Sequence, residues 1–148
     1  MNATYAGGCA CGDIRYEALG EILFSNYCQC RQCQRQTGTG HAAYITLWGA
    51  SVRVDGQPSY GEAVGEDGTL KRNAFCPSCG SPLFLRLDQM SDVIPLHVGS
   101  LDDPSVFTPE LAFWTDAAHG WDVLPADLTK FAKLPPSPAA NDSQAAAG

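Results

Sequence analysis

Apolar residues along this chain come in short runs, often alternating with polar ones, and almost every run ends at a glycine, proline or Asp-Gly break. Asp13-Ile14-Arg15-Tyr16-Glu17-Ala18 alternates polar and apolar, the signature of a half-buried strand. Ile22-Leu23-Phe24 opens a second apolar segment that runs into Tyr27 and Cys28. His41 to Trp48 reads as a strand, broken at Gly49-Ala50-Ser51 and resumed at Val52-Arg53-Val54. Asp67-Gly68 is a hairpin signal, with Leu70 to Phe75 as the returning strand. Pro82 to Leu87, Val93 to Gly99 and Glu110 to Trp114 supply three more strands, and Asp127 to Leu134 a short cap or strand. The one place for helix is a turn beginning at Arg31 and breaking at Gly38. No repeat and no long amphipathic helix is present, so the expected class is mainly β.

Residues 1–134 are expected to form a single domain, and the Pro-, Ser- and Ala-rich residues 135–148 a disordered tail. At 148 residues such a domain holds a modest core. Sixteen acids against nine bases give a net charge of −7, with no cluster of basic residues. That balance argues against nucleic acid as a partner. No apolar run approaches the ~20 residues of a membrane span. Residues 1–8 show neither a basic nor an apolar targeting region, so a cytoplasmic location is expected.

The candidate chemistry is in the cysteines. All seven fall into three clusters, Cys9-x-Cys11, Cys28-x-Cys30-x-x-Cys33 and Cys76-x-x-Cys79. Seven is odd, so complete pairing into disulfides is impossible, and these spacings are those of metal ligands. A structural zinc takes four ligands, and two distant pairs supply them while closing a long loop. Zinc then contributes to folding directly, on the order of 10 kcal/mol in small domains. Two partitions are open. Cys30/Cys33 with Cys76/Cys79 strands three thiols in two clusters; Cys9/Cys11 with Cys76/Cys79 leaves Cys28, Cys30 and Cys33 together. Spacing prefers the second without deciding it. Three ligands with an exchangeable fourth are the pattern of a catalytic zinc. An all-thiolate set dampens Lewis acidity and suits the capture of an incoming thiol.

The order of motifs resembles a known family. Gly8-Cys9-x-Cys11-Gly12, Cys28-x-Cys30-x-x-Cys33-x-Arg35-x-x-Gly38, Phe75-Cys76-x-x-Cys79-Gly80-Ser81-x-Leu83 and Gly99-Ser100-Leu101-Asp102-Asp103-Pro104 follow the pattern of the glutathione-dependent formaldehyde-activating enzymes, which include centromere protein V. The likeness covers roughly residues 5–125. It implies a zinc-bound β-tent of stacked short antiparallel sheets. It also implies structural zinc on Cys9, Cys11, Cys76 and Cys79, and a catalytic-type zinc on Cys28, Cys30 and Cys33. The implied activity is that of a carbon–sulfur lyase, forming S-hydroxymethylglutathione from formaldehyde and a small thiol, glutathione. A non-catalytic binding module and a thiol or zinc redox sensor are the competing functions.

Around these clusters, Gln29 lies between two ligands and could touch substrate or a ligand sulfur, or face solvent. Arg31 and Arg35 are candidate carboxylate partners. His41, His97 and His119 are the remaining candidates for metal binding or proton transfer, with His97 expected to pack in its strand. Trp48, Trp114 and Trp121 are expected as core or rim aromatics, the last two with the option of walling a cleft. Asp102-Asp103-Pro104 reads as a loop or cap signal.

Overall fold

The computed structural model describes residues 2–135. The expected disordered tail therefore lies, apart from Pro135, outside the described residues. The strands are β1 (Ala3–Gly8), β2 (Arg15–Cys28), β3 (Ala42–Asp55), β4 (Ser59–Val64), β5 (Leu70–Phe75), β6 (Pro82–Leu87), β7 (Ile94–His97), β8 (Leu111–Phe113) and β9 (Thr129–Lys130). One α-helix, α1 (Arg31–Thr37), interrupts them. The protein is mainly β, and among the described residues hydrogen bonding joins the nine strands into one open sheet.

The order across the sheet is β4-β5-β6-β7-β3-β2-β8-β9, with β1 also pairing with β2. Its spine is the antiparallel pair β2 and β3, each 14 residues long. The break expected at Gly49-Ala50-Ser51 does not end β3, and β2 runs through Gly20 to join the two apolar segments on either side of it. The ladder absorbs irregularities between Leu19 and Glu21 and between Ile22 and Phe24 as register shifts. Along one edge, β2 pairs first with β1 (residues 15–20) and then with β8 (residues 26–28). That second pairing is parallel and sets Cys28 opposite Phe113.

The period of two sorts side chains onto two faces. Tyr16, Ala18, Ile45, Leu47, Phe84 and Leu96 are buried together in the main core. Their sequence neighbours on the opposite face, Tyr44 and Leu85, join Cys28, Cys33, Ala42 and Phe113 in a second buried cluster. Face assignment therefore divides the molecule into a structural side and a side that carries the central thiols.

The helix starts at its own metal-ligand candidate. Cys30 is the N-cap, and its sulfur accepts a hydrogen bond from the Cys33 backbone N–H at 3.2 Å. Gly38, in the left-handed region, closes the helix with its N–H donating to Gln34 O at 2.8 Å. The break predicted at Gly38 is this cap. The loop after β7 has two uses for its acids. Asp102 pairs with Arg15 of β2, and the Asp103 carboxylate caps the turn Pro104–Val106 by accepting from the Ser105 N–H at 3.1 Å.

Candidate metal centres

The first centre is assembled from the two ends of the sheet's first and middle parts. Cys9 and Cys11 follow β1, and Cys76 and Cys79 follow β5. The four sulfurs lie within 4.8 Å of one another. Cys9 Sγ is 3.6 Å from Cys11 Sγ, and Cys11 Sγ is 3.7 Å from Cys76 Sγ. A tetrahedron with zinc–sulfur bonds of ~2.3 Å has sulfur–sulfur edges of ~3.8 Å, so this cage has the size of a zinc site. Backbone N–H groups point at the sulfurs, from Ile14 to Cys9 at 3.2 Å and from Cys79 to Cys76 at 3.5 Å. Gly80 makes the second knuckle possible. Its φ of 79° belongs to the left-handed region, and its N–H returns to Cys76 O at 2.8 Å. Ser81 completes the knuckle: its hydroxyl lies 3.2 Å from Cys79 Sγ and accepts from Ala10 N–H at 3.0 Å, tying the two pairs together. The Ser81 hydroxyl and backbone lower the Cys79 thiol to about 5. Cys76 is fully buried against the main core, while Cys11 and Cys79 are exposed.

The second centre is the trio Cys28, Cys30 and Cys33, again with sulfurs within 4.8 Å. Cys28 ends β2, Cys33 belongs to the first turns of α1, and Cys30 caps the helix between them. Cys28 and Cys33 are buried. Hydrogen bonds from Cys28 and then Cys33 hold Cys30 down to about 2, whereas sharing that interaction with Cys30 and Cys33, with burial added, pushes Cys28 up. One thiolate forms readily here and further ones resist, which is what a set of close sulfurs does without a cation among them. A divalent cation would resolve that repulsion, so the donor set suits a thiophilic ion. Among the described residues no fourth His, Cys, Asp or Glu joins the trio. Both clusters could therefore hold a metal ion, divided four and three as the spacing preferred.

The walls of the trio are mixed. Cys28 and Cys33 share a buried cluster with Phe113, and Phe24, Trp114 and Phe131 pack against that cluster. Phe113 contacts Phe24 and Phe131 edge to face, at centroid distances of 5.5 and 5.9 Å. The Tyr44 hydroxyl lies 3.6 Å from Cys33 Sγ, with its ring against His97 at 4.8 Å. Trp114 is the one non-glycine with a left-handed backbone among the described residues, at φ 60°. Such a backbone costs about 1–2 kcal/mol and is held here by its N–H bond to Lys133 O at 3.0 Å and by Lys133 Nζ over its ring.

Sequence candidates separate clearly in space. Gln29 is not a solvent-facing spacer: it is 3% exposed, and its amide donates to Asp122 Oδ2 at 3.0 Å. The same carboxylate receives His41 Nδ1 at 2.8 Å. His41 therefore serves Asp122, and no bond from it reaches the trio. His119 Nε2 lies 2.9 Å from Gln34 Oε1, which Arg31 also approaches. Gln34 Nε2 donates to Gln29 O at 2.8 Å and to Ala117 O at 3.0 Å. Arg31 and Arg35 are both exposed on α1, and Arg31 is engaged with Gln34 and His119. His97 is a packed strand residue, as expected. Trp114 walls the trio, whereas Trp121 is 67% exposed and stacks on His119, and Trp48 is 53% exposed. Neither Trp121 nor Trp48 is therefore a core residue.

Asp122, Gln34 and Tyr44 were not singled out from sequence. A lone acid after His119-Gly120-Trp121 carries no spacing signal, and only the fold brings it to Gln29. A cavity of about 570 Å³, lined in part by Cys9, Arg15, His41, Ala42, His97 and Asp102, reaches Ala42, the strand partner of Cys28, but is not lined by the trio itself.

The family described as glutathione-dependent formaldehyde-activating enzyme matches residues 4–117. Among solved structures, the crystal structure of a Rhodobacter sphaeroides protein is 22% identical and aligns with a TM-score of 0.49, covering 69% of this chain and 88% of that one. No curated protein matches. The family match spans most of the chain and both cysteine clusters, and the chain belongs to the glutathione-dependent formaldehyde-activating enzyme family.

Proposed function

We propose that this protein is a zinc-dependent carbon–sulfur lyase acting on the adduct of a small aldehyde with a thiol, S-hydroxymethylglutathione from formaldehyde and glutathione being the first candidate. The observation that carries this is the four-plus-three division of the thiols, with three sulfurs gathered at a half-buried site that has no fourth protein ligand among the described residues. Cys9, Cys11, Cys76 and Cys79 would hold a structural zinc, and Cys28, Cys30 and Cys33 a catalytic one. The second zinc would favour the thiolate form of an incoming thiol.

The chain's own residues do the rest. In the forward direction the substrate sulfur bonds to the aldehyde carbon, and the thiol proton ends on the aldehyde oxygen; the reverse reaction releases both. Three soft thiolates would leave an ion held by the trio with a preference for sulfur over water. Phe113 and Trp114 limit water on one side. Gln29 keeps the segment between Cys28 and Cys30 in place through Asp122, and Gln34 fixes the same segment from the helix side. A cytoplasmic location belongs to the same reading, because seven free thiols need reducing surroundings. Among the described residues no helix is long and apolar enough to cross a membrane.

The test is exchange spectroscopy by NMR with glutathione and ¹³C-formaldehyde. Zinc-loaded protein is expected to accelerate exchange between free and adduct carbon saturably, and Cys30→Ala to abolish the acceleration. A rate equal to the spontaneous one with fully loaded protein overturns the glutathione assignment.

A further inference from the structure

The trio carries a charge that its surroundings host poorly. Three thiolates around a divalent ion sum to one negative charge, and a substrate thiolate makes it two. Cys28 and Cys33 are buried, in a cluster with Ala42, Leu85 and Phe113. Charge in apolar surroundings is costly unless hydrogen bonds spread it. Among the described residues two donors other than thiols reach these sulfurs. The Cys33 backbone N–H donates to Cys30 Sγ at 3.2 Å, and the Tyr44 hydroxyl lies 3.6 Å from Cys33 Sγ. A thiolate has no proton to give and a phenol keeps its own at neutral pH, so toward the thiolate the hydroxyl is the donor.

The middle of the sheet places Tyr44 for this contact. It lies in β3, opposite Asn26 of β2 on one side and His97 of β7 on the other. Its ring tilts against the His97 ring at 4.8 Å, and the residue is 4% exposed. Ladders on both sides hold its backbone, and Cys33 Sγ is the one hydrogen-bond partner of its hydroxyl among the described residues. The other buried tyrosine, Tyr16, spends its hydroxyl on Ser100 at 2.6 Å. A buried hydroxyl is costly without a partner, and a phenylalanine ring would fill the same place, so packing alone does not call for the oxygen of Tyr44.

We propose that Tyr44 is a positioning residue for the reaction: by donating to Cys33 Sγ it draws charge off that ligand and lets an ion held by the trio take a substrate thiolate as a fourth sulfur. This rests on the trio being the thiol site. Hydrogen bonds to ligand sulfurs tune metal centres in this way. Tyr44 acts through Cys33 and makes no bond to the reacting carbon.

Cobalt-loaded protein reports the contact without turnover, through its sulfur-to-cobalt charge-transfer absorption. Subtracting the spectrum of Cys30→Ala, which keeps the four-cysteine centre, isolates the trio. Tyr44→Phe removes the hydroxyl, retains the ring and is expected to keep the cooperative thermal transition. A hydrogen bond lowers the energy of the sulfur lone pairs, so the trio's band should move to longer wavelength in Tyr44→Phe. Titration with 2-mercaptoethanol should then show about tenfold weaker binding to the variant, as loss of a hydrogen bond to a charged group does. An unshifted band overturns the proposal and leaves Tyr44 as a packing residue. A shifted band with unchanged thiol affinity overturns it as well, because the hydrogen bond then has no bearing on substrate. A parent spectrum that no thiol alters overturns the thiol-site reading and the proposal with it, whereas failure of the band shift alone leaves that reading standing.

Discussion

The side-chain amide of Gln29 donates to the carboxylate of Asp122 at 3.0 Å, so the spacer between two ligand candidates is tethered to a loop near the far end of the described chain. The same carboxylate accepts from His41 Nδ1, which opens onto β3. Three segments distant in sequence meet at one buried acid.

Removing that acid should loosen the trio without touching the other centre. Asp122→Ala leaves Gln29 and His41 without their acceptor, and supports of this kind are commonly worth 10–100-fold in metal affinity. Chelator competition is expected to strip one metal equivalent from the variant more easily by that factor while the second equivalent is retained as in the parent. Unchanged retention of both would remove Asp122 from any role at the trio.

Gly40 offers an independent route to the same effect. A Cβ at this position would lie 2.4 Å from Asp122 Cγ and 2.5 Å from Oδ2. Gly40→Ala should therefore displace Asp122 and reproduce the metal-release behaviour of Asp122→Ala, and the two changes together should cost no more than either alone. Additive losses would mean that Gly40 acts elsewhere.

The two cysteine centres should differ in what they do for folding. Cys76→Ala breaks the cage joining β1 to β5 and exposes a vacancy in the main core. Structural zinc contributes on the order of 10 kcal/mol, comparable with the whole stability of a domain. Circular dichroism is expected to show loss of the cooperative thermal transition. Cys30→Ala should keep that transition and lower the metal content by one equivalent. A folded Cys76→Ala protein would contradict the division of roles.

Acid should destabilise the fold through His97. Burial drives its imidazole down to about 4 from the ordinary 6.5. The unfolded chain takes up this proton near pH 6.5 and the folded chain only near 4, so the contribution is complete above 6.5 and declines as pH falls through that interval. The gap corresponds to about 3 kcal/mol. Urea unfolding at pH 7 and pH 5 should show about 2 kcal/mol more loss in the parent than in His97→Gln. Parallel losses in the two proteins would assign the acid sensitivity to other groups, the metal-binding thiols first.

Much of the fold could be seen in the sequence because it is written locally. The Asp67-Gly68 hairpin signal placed β5 at Leu70–Phe75, and the short apolar run from Pro82 placed β6 at Pro82–Leu87. Gly38 and Gly80 announced a cap and a knuckle through a backbone conformation that other residues resist. The length of β2 and β3 was hidden, because Gly49 looks like a break and is carried inside a ladder that resumes on both sides of it. Asp122 and Tyr44 had no motif; each matters through what it faces.

The sequence by itself determined which atoms can bind metal. Seven thiols at these spacings form two preorganised pairs and a trio, and local chain geometry needs nothing further to present them. Which pairs combine was decided by the sheet, since β1 and β5 deliver their knuckles to one point and β2 delivers Cys28 to the opposite face. The sheet also decided what surrounds the trio. Polar contacts such as Gln29 with Asp122 join residues ninety-three positions apart. Hydrogen bonds have short range, so such partners become neighbours only when the chain between them has folded.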